Sequence, residues 1–288
     1  MAKTKEKAPK KLLTGIIQIT RKGTGYVPFD SAQGKASGDE DIEIKNEHLG
    51  GALNGDTVEV ELIDLFPRPR GKVKKISARA KEEFVATIKD THTATADDVR
   101  VYRPFTLAEA SNYAVGEKIL VRLLSFDGHS DPKATVVKHL GKAGEHKVEM
   151  NAIVLGHGFR TEFPEEAVRE ARELEERHQK IIEDELPKRT DFRNTPTFTI
   201  DPADAKDFDD ALSLLELPDG SFEVGVHIAD ATYFVRPGTA LDEEATRRGT
   251  SVYLVDSTIP MLPHELSADI ASLKPMEERL AFSAVFRL

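Results

Sequence analysis

Along the chain, apolar and polar positions first alternate in short runs. From Leu13 the segments LTGIIQIT, TGYVPF, DIEIK, TVEVELI and KVKKI are β-rich or alternating, and Gly, Asn-Gly-Asp and Pro break them apart. Five short strands joined by tight turns predict a small Greek-key barrel of the OB type over residues 12–80. The piece SAQGKASGDED (31–41) reads as a polar loop within it. A second series, EFVATI, VRVYRPF, KILVRLL and ATVVKHL, is spaced by polar turns such as THTATADD and SFDGHSD. It predicts a second barrel of the same kind over 81–145, although the two sequences are too different to form a clear repeat.

The period then changes. In FPEEAVREARELEERHQKIIEDE (163–185), Val168, Ala171, Leu174 and Ile181 or Ile182 recur at helical spacing among many charges. This predicts an exposed amphipathic helix that links modules, within a helical linker over 146–190, and Pro187 ends it. Residues 191–288 read as a mixed α+β domain. It has a strand FTI, an acidic loop, ALSLLEL, a turn PDGS, a strand FEVGVHI, a helix around ALDEEATRR and a final apolar run, RLAFSAVFRL. That last run reads as a buried strand, and a domain ending on one is expected to continue in a longer polypeptide.

Composition narrows the classes. The 288 residues allow two or three domains. There is no cysteine, so disulfides, thiolate zinc sites and a cysteine nucleophile are excluded. No apolar stretch approaches the ~20 residues of a membrane span, and MAKTKEKAPKK has no apolar h-region. A cytoplasmic, monomeric protein without a membrane partner is the expectation. Its first eleven residues, five of them lysine, read as a basic flexible tail.

The net charge of −10 is unevenly spread. Residues 1–80 hold 15 Lys+Arg against 11 Asp+Glu, 81–150 hold 10 against 11, and 151–288 hold 15 against 28. A basic front and an acidic rear suit a nucleic-acid grip joined to a metal-dependent centre, or two unrelated solvated surfaces.

The chemistry concentrates in TIDPADAKDFDDA (199–211), where Asp201, Asp204, Asp207, Asp209 and Asp210 surround a single Lys206. Extended, the nine steps from Asp201 to Asp210 span ~30 Å, so the carboxylates meet only if the loop folds back, which Pro202 favours. Four carboxylates at ~6 Å would repel by ~3 kcal/mol per pair at an effective dielectric of 20. Divalent cations would offset that, and hard oxygen ligands suit Mg²⁺. The spacing is neither an EF-hand nor an Asp-x-Asp-x-Thr motif. A solvated acidic loop without chemistry is the other reading.

In RKGTGYVPFD, Tyr26 and Phe29 lie beside Arg21 and Lys22. Such rings on a barrel face can stack single-stranded bases, or they can pack inward. Gly23-x-Gly25 lacks the third glycine of a dinucleotide fingerprint, so no nucleotide cofactor is expected. The nine histidines make no zinc spacing, and His227 in VGVHIAD reads as a hydrogen-bonded core residue. Tyr253, in the apolar run of GTSVYLVD, reads by itself as core.

TIDPADAKDFDDA, VGVHIADATYFVRPGTALDEEATRRGTSVYL and IPMLPHELSADIASLKP together resemble the catalytic domain of the ribonuclease II/ribonuclease R exoribonucleases, and more closely that of the ribonuclease R branch. The two barrels resemble that family's paired cold-shock domains. The resemblance implies two OB-type cold-shock barrels, followed by the first part of an α+β ribonuclease II-type catalytic domain at 191–288. It implies a processive 3′-to-5′ exoribonuclease that degrades single-stranded RNA to nucleoside 5′-monophosphates by a two-metal mechanism with Mg²⁺ or Mn²⁺. Asp201, Asp207, Asp209 and Asp210 match the family's catalytic aspartates. Asp201, Asp207 and Asp210 would bind metal, while Asp209 would orient or deprotonate water; Asp204 matches no required position. Tyr253 matches the tyrosine that stacks on the 3′-terminal nucleotide, against its reading as core. The family's transition-state arginine and C-terminal RNA-binding barrel fall beyond Leu288. A different class, a non-catalytic RNA-binding protein of cold-shock type, would use the barrels alone and would have no use for the aspartate loop.

Overall fold

The computed structural model describes residues 12–28, 41–65, 68–110, 112–203, 205–255 and 257–288. The basic segment 1–11, Phe29 and Asp204 lie outside the described residues. The chain divides into two compact units, 1–159 and 160–288.

In the first unit, alternation folds β1 (Leu12–Ile16), β2 (Gln18–Ile19), β3 (Gly25–Val27), β4 (Ile42–Ile44), β5 (Thr57–Asp64) and β6 (Arg70–Ala78) into a sheet ordered β1-β5-β6-β4-β3-β2. Its two ends are halves of one strand kinked at buried Ile17, so the sheet closes on itself. The β4–β6 pair is parallel and the others are antiparallel. Inward positions such as Leu13, Val58, Val60 and Val73 fill the interior, as the period of two demands. The Asn54-Gly55-Asp56 turn carries a buried carboxylate. Asp56 accepts from the backbone of Leu53 (2.8 Å) and Ala80 (3.0 Å) and pairs with Arg79 at 2.6 Å.

The same plan repeats in β7 (Glu83–Ile88), β8 (Thr93–Ala96), β9 (Phe105–Leu107), β10 (Glu117–Ser125) and β11 (Lys133–Lys142), a closed barrel ordered β10-β11-β9-β8-β7 with β9–β11 parallel. Both barrels therefore place the fifth strand beside the third, the OB-type arrangement. Two details differ from the sequence reading. Thr93–Ala96 is a strand inside the stretch expected to be a turn. VRVYRP is largely irregular instead, because Asp98 turns the chain by accepting from the backbone of Arg100 (2.9 Å) while its carbonyl takes Val101 N–H (2.9 Å).

The barrels touch through Tyr102, which packs against both cores and donates to the Ala52 carbonyl at 3.3 Å. Burial pushes its phenol up to about 12. Beside it the Gly51 and Gly128 backbones meet so closely that a Cβ on Gly51 would strike the Phe126 carbonyl, and both glycines hold positive φ.

The segment expected as one helical linker is divided between the units. α1 (His146–Gly156) packs Ala152 on Val85 and Leu120 of the second barrel. Lys118 ties the helix down by bridging Asp97 and Glu149, and Lys81 donates to the Gly156 carbonyl at 2.6 Å. α2 (Glu165–Glu185) instead buries Ala167, Ala171 and Ile182 in the core of the second unit. Of the apolar stripe read from the sequence, Ala171 and Ile182 are buried and Leu174 and Ile181 pack against the same core, but in the first turn Ala167 rather than Val168 faces inward. A stripe of that width needs a packing partner.

The second unit is α+β. β12 (Thr197–Phe198), β13 (Asp210–Glu216), β14 (Phe222–Ala229) and, after the elements that follow, the last strand form a sheet. Between them come α3 (Ala231–Phe234), α4 (Ala240–Arg248) and the hairpin of β15 (Val252–Tyr253) with β16 (Thr258–Ile259). The last strand, β17 (Ala281–Arg287), pairs with β14 at the sheet's edge. The run expected to be a buried strand is a strand, but it is mostly exposed, with Phe282 at 76%. The core gathers on the helices around Phe234, Leu241, Leu266 and Ile270. Thr239 caps α4, and Gly249 ends it in the left-handed conformation. Among the described residues no helix is long and apolar enough to cross a membrane.

Candidate active site

The aspartate segment runs from β12 into β13, and its described residues 199–203 and 205–209 hold no regular secondary structure. A turn closes at Ala205 N–H to the Pro202 carbonyl (3.0 Å), so the chain bends after Asp201 as Pro202 suggested. Asp210 opens β13 opposite Ile228, and the Asp209 carbonyl accepts from Ala229 N–H at 2.8 Å. The two last carboxylates are thereby fixed to the end of the sheet. The middle of the loop is held from the other side. Ser272 Oγ accepts from Phe208 N–H (2.9 Å) and donates to the Lys206 carbonyl (3.2 Å), and Leu273 N–H donates to the Phe208 carbonyl (2.8 Å).

This folding brings like charges together. Burial raises the Asp209 carboxyl above the ordinary aspartate range, and the charges of Asp207, Asp210 and Asp201 raise it further. Asp209 is itself exposed, so the three neighbouring charges are the more informative cause. No lysine or arginine among the described residues pairs with any of the four. The hydrogen bond to the group comes from Tyr253, whose hydroxyl donates to Asp207 Oδ2 at 2.8 Å. That bond, more than burial, pushes the phenol up to about 12 and keeps it a donor. Tyr253 is 66% exposed. The core reading of its apolar run fails because the short β15–β16 hairpin presents the ring to solvent beside the aspartates.

Among the described residues no three carboxylates or imidazoles stand close enough to form a ready-made metal cage. The donor set is nonetheless all oxygen and uncompensated, which is what a hard divalent cation takes. Mg²⁺ characteristically keeps several waters and binds through one or two carboxylates plus a substrate phosphate. The residues fit such a cation.

The remaining expected positions lie elsewhere. Tyr26 sits between buried Gly25 and Val27, so alternation turns its ring to the outer face of the first barrel, where it is half-buried. The Arg68 guanidinium covers that ring at 5.3 Å and approaches Glu43 at 3.7 Å. His227 is a core residue: it is 4% exposed, bonded at Nδ1 to Ser283 Oγ (2.7 Å) and at Nε2 to Ser213 Oγ (2.8 Å), and burial lowers its pKa. The sequence reading missed Ser272. A lone serine in SADIASLKP has no periodic or spacing signal, and only the fold shows what it touches.

Three families of domain match the chain: the RNB domain over 189–288, the Cold shock domain over 95–164 and the Ribonuclease B OB domain over 15–76. Ribonuclease R of Thermotoga maritima is 36% identical over 94% of this chain and 38% of its own length. The structure of Mycoplasma genitalium RNase R in complex with ribose-methylated single-stranded RNA superposes with a TM-score of 0.80, at 25% identity over 96% of this chain and 44% of that one. Yeast Ssd1, a pseudonuclease, shares the fold, with a TM-score of 0.64 at 19% identity over 96% of this chain and 41% of its own. The chain thus spans about two fifths of the length of the curated ribonuclease R sequences it matches. With the Ribonuclease B OB, Cold shock and RNB domains matched along it and ribonuclease R sequences similar over 94% of its length, the chain belongs to the ribonuclease R family of RNB-domain proteins.

Proposed function

We propose that this chain carries the RNA-degrading centre of a 3′-to-5′ exoribonuclease that hydrolyses single-stranded RNA to nucleoside 5′-monophosphates. The observation that carries the reading is the loop itself. Asp201, Asp207 and Asp210 bear on Asp209, and no lysine or arginine among the described residues forms an ion pair with them, at a cost in repulsion that a purely structural loop has no reason to accept.

In this reading Asp201, Asp207 and Asp210 hold Mg²⁺ or Mn²⁺. The bound cations supply charge neutralisation and Lewis-acid assistance at the phosphate, in a two-metal arrangement. Asp209 orients the attacking water and takes its proton. The crowding that raises its proton affinity suits that task. Tyr253 offers an exposed ring within reach of the aspartates, on which the 3′-terminal base stacks. Tyr26 with Arg68 gives the first barrel a stacking and phosphate-binding surface. RNA would be distinguished from DNA by contacts to the 2′-hydroxyl.

The test uses the polypeptide expressed from its complete reading frame and a single-stranded RNA labelled at its 5′ end. Mg²⁺-dependent release of nucleoside 5′-monophosphates, with progressive shortening from the 3′ end, is expected. Internal cleavage, or hydrolysis indifferent to chelation, would sink the proposal. The fold shared with a pseudonuclease keeps one other reading open, that of a single-stranded RNA binder without turnover. Tight RNA binding with no monophosphate release under Mg²⁺ and Mn²⁺ would decide for it.

A further inference from the structure

Asp207 is the aspartate that Tyr253 contacts, and nothing in regular secondary structure holds it. Its backbone is instead gripped on both sides by one hydroxyl. Ser272 has no exposed surface, and its Oγ serves the carbonyl of Lys206 before Asp207 and the N–H of Phe208 after it. Leu273 N–H completes the grip on the Phe208 carbonyl. The serine is held in turn. Arg279 Nε donates to the Ser272 carbonyl (3.0 Å) and the Asp269 carbonyl (3.2 Å), and its terminal nitrogen meets Asp269 Oδ1 at 3.3 Å. Lys274 N–H donates to the same Ser272 carbonyl at 2.8 Å. The turn that carries Ser272 is therefore rigid, while the loop it grips has few other bonds.

We propose that Ser272 is a positioning residue that fixes the direction of Asp207, and through the Phe208 peptide that of Asp209, toward a divalent cation. This rests on the function proposed above. The physical case is one of repulsion. Carboxylates that bear on one another drift apart unless the backbone holds them, and the cost of their approach is met by fixing the peptide on each side of Asp207. Removing the hydroxyl leaves a partly buried donor and acceptor unpaired and frees that peptide to rotate. Partners that orient metal ligands typically contribute 10- to 100-fold in metal affinity or activity.

The experiment compares Ser272→Ala, Ser272→Thr and Ser213→Ala in the polypeptide from the complete reading frame. Ser213→Ala removes an equally buried hydroxyl from the sheet, one that bonds His227 rather than the loop. Three quantities are measured at a temperature where circular dichroism shows each variant fully folded: Mn²⁺ affinity without RNA, by the electron paramagnetic resonance of the free ion; RNA affinity in EDTA; and turnover. Ser272→Ala is expected to weaken Mn²⁺ binding and lower kcat, each by about 10- to 100-fold, with RNA affinity within about twofold of the parent. Ser272→Thr, which keeps the hydroxyl, should recover most of both if it folds. Ser213→Ala should lower the unfolding temperature and leave Mn²⁺ affinity alone.

Parental Mn²⁺ affinity and kcat in Ser272→Ala would overturn the assignment. So would an equal loss of Mn²⁺ affinity in Ser213→Ala, which would mean that any buried defect loosens the site. If the parent itself neither binds Mn²⁺ nor degrades RNA, the proposed function fails, and that is read before any variant is compared.

Discussion

At the scale of single residues, Asp209 and His227 lie close along the chain and answer to different physics. Asp209 is exposed and crowded by three like charges. Asp209→Asn keeps its size and removes a charge and a base. In the polypeptide from the complete reading frame, turnover should fall by about 10²–10⁴ while RNA affinity in filter binding stays near the parent's. Near-normal monophosphate release from that variant would remove Asp209 from the chemistry. His227 is buried, and burial holds its pKa below the ordinary histidine value. Its folded pKa thus lies under its unfolded one. Below about pH 6.5 the unfolded chain binds the extra proton, so stability is present above that pH and declines as pH falls. Urea unfolding between about pH 5 and 7 should show a steeper loss of stability in the parent than in His227→Gln. Identical slopes would mean that protonation at His227 does not differ between the two states.

At the scale of elements, much of the fold could be read from alternation, because Val58, Val60, Ile42 and Ile44 repeat at a period of two and fill a barrel. What escaped reading lacked that contrast. Thr93–Ala96 is a strand made of threonine and alanine, whose buried positions Ala94 and Ala96 are too small to stand out from a polar turn. β17 has the composition of a core strand but lies at the edge of its sheet, and composition does not say which strand will be last. The site was half legible. Charge spacing pointed to the aspartates, but Ser272 was invisible because its partners are backbone groups some 64 residues away. Asp56 illustrates the same limit within a barrel. Three groups converge on its buried carboxylate where β4 hands over to β5. Asp56→Ala takes the carboxylate from Arg79, which keeps only its bond to the Gly51 carbonyl, and leaves two N–H groups unpaired. It should cost about 3 kcal/mol, read as a lower urea midpoint for the first unit with an unchanged slope. A shift within error would mean that solvent replaces the carboxylate without penalty.

At the scale of the whole molecule, the sheet of the second unit presents an apolar face to solvent. Cross-strand partners share a face, so the rows Leu212–Val226–Ala284 and Leu214–Val224–Phe286 lie side by side, next to Asp210–Ile228–Phe282. Within them Phe282 is 76% exposed, Phe286 53%, Leu214 47% and Ile228 46%. A contiguous patch of this kind marks an interaction surface, and here it ends on an edge strand with open backbone groups. The 288-residue chain should therefore self-associate with rising concentration in sedimentation, and it should bind an apolar fluorescent dye while fully folded. Replacing Phe282 and Phe286 together by serine should reduce both signals. The β14–β17 pairing should survive, because it is made by the backbone. The site feels the same surface. Asp210 stands in the row with Ile228 and Phe282, so whatever covers the face also withdraws water from beside one of the four aspartates. Lower local polarity strengthens the pull of a cation on a carboxylate. A folded chain that stays monomeric at every concentration, with dye binding no greater than in the double variant, would show that these side chains are not presented to solvent as this geometry places them.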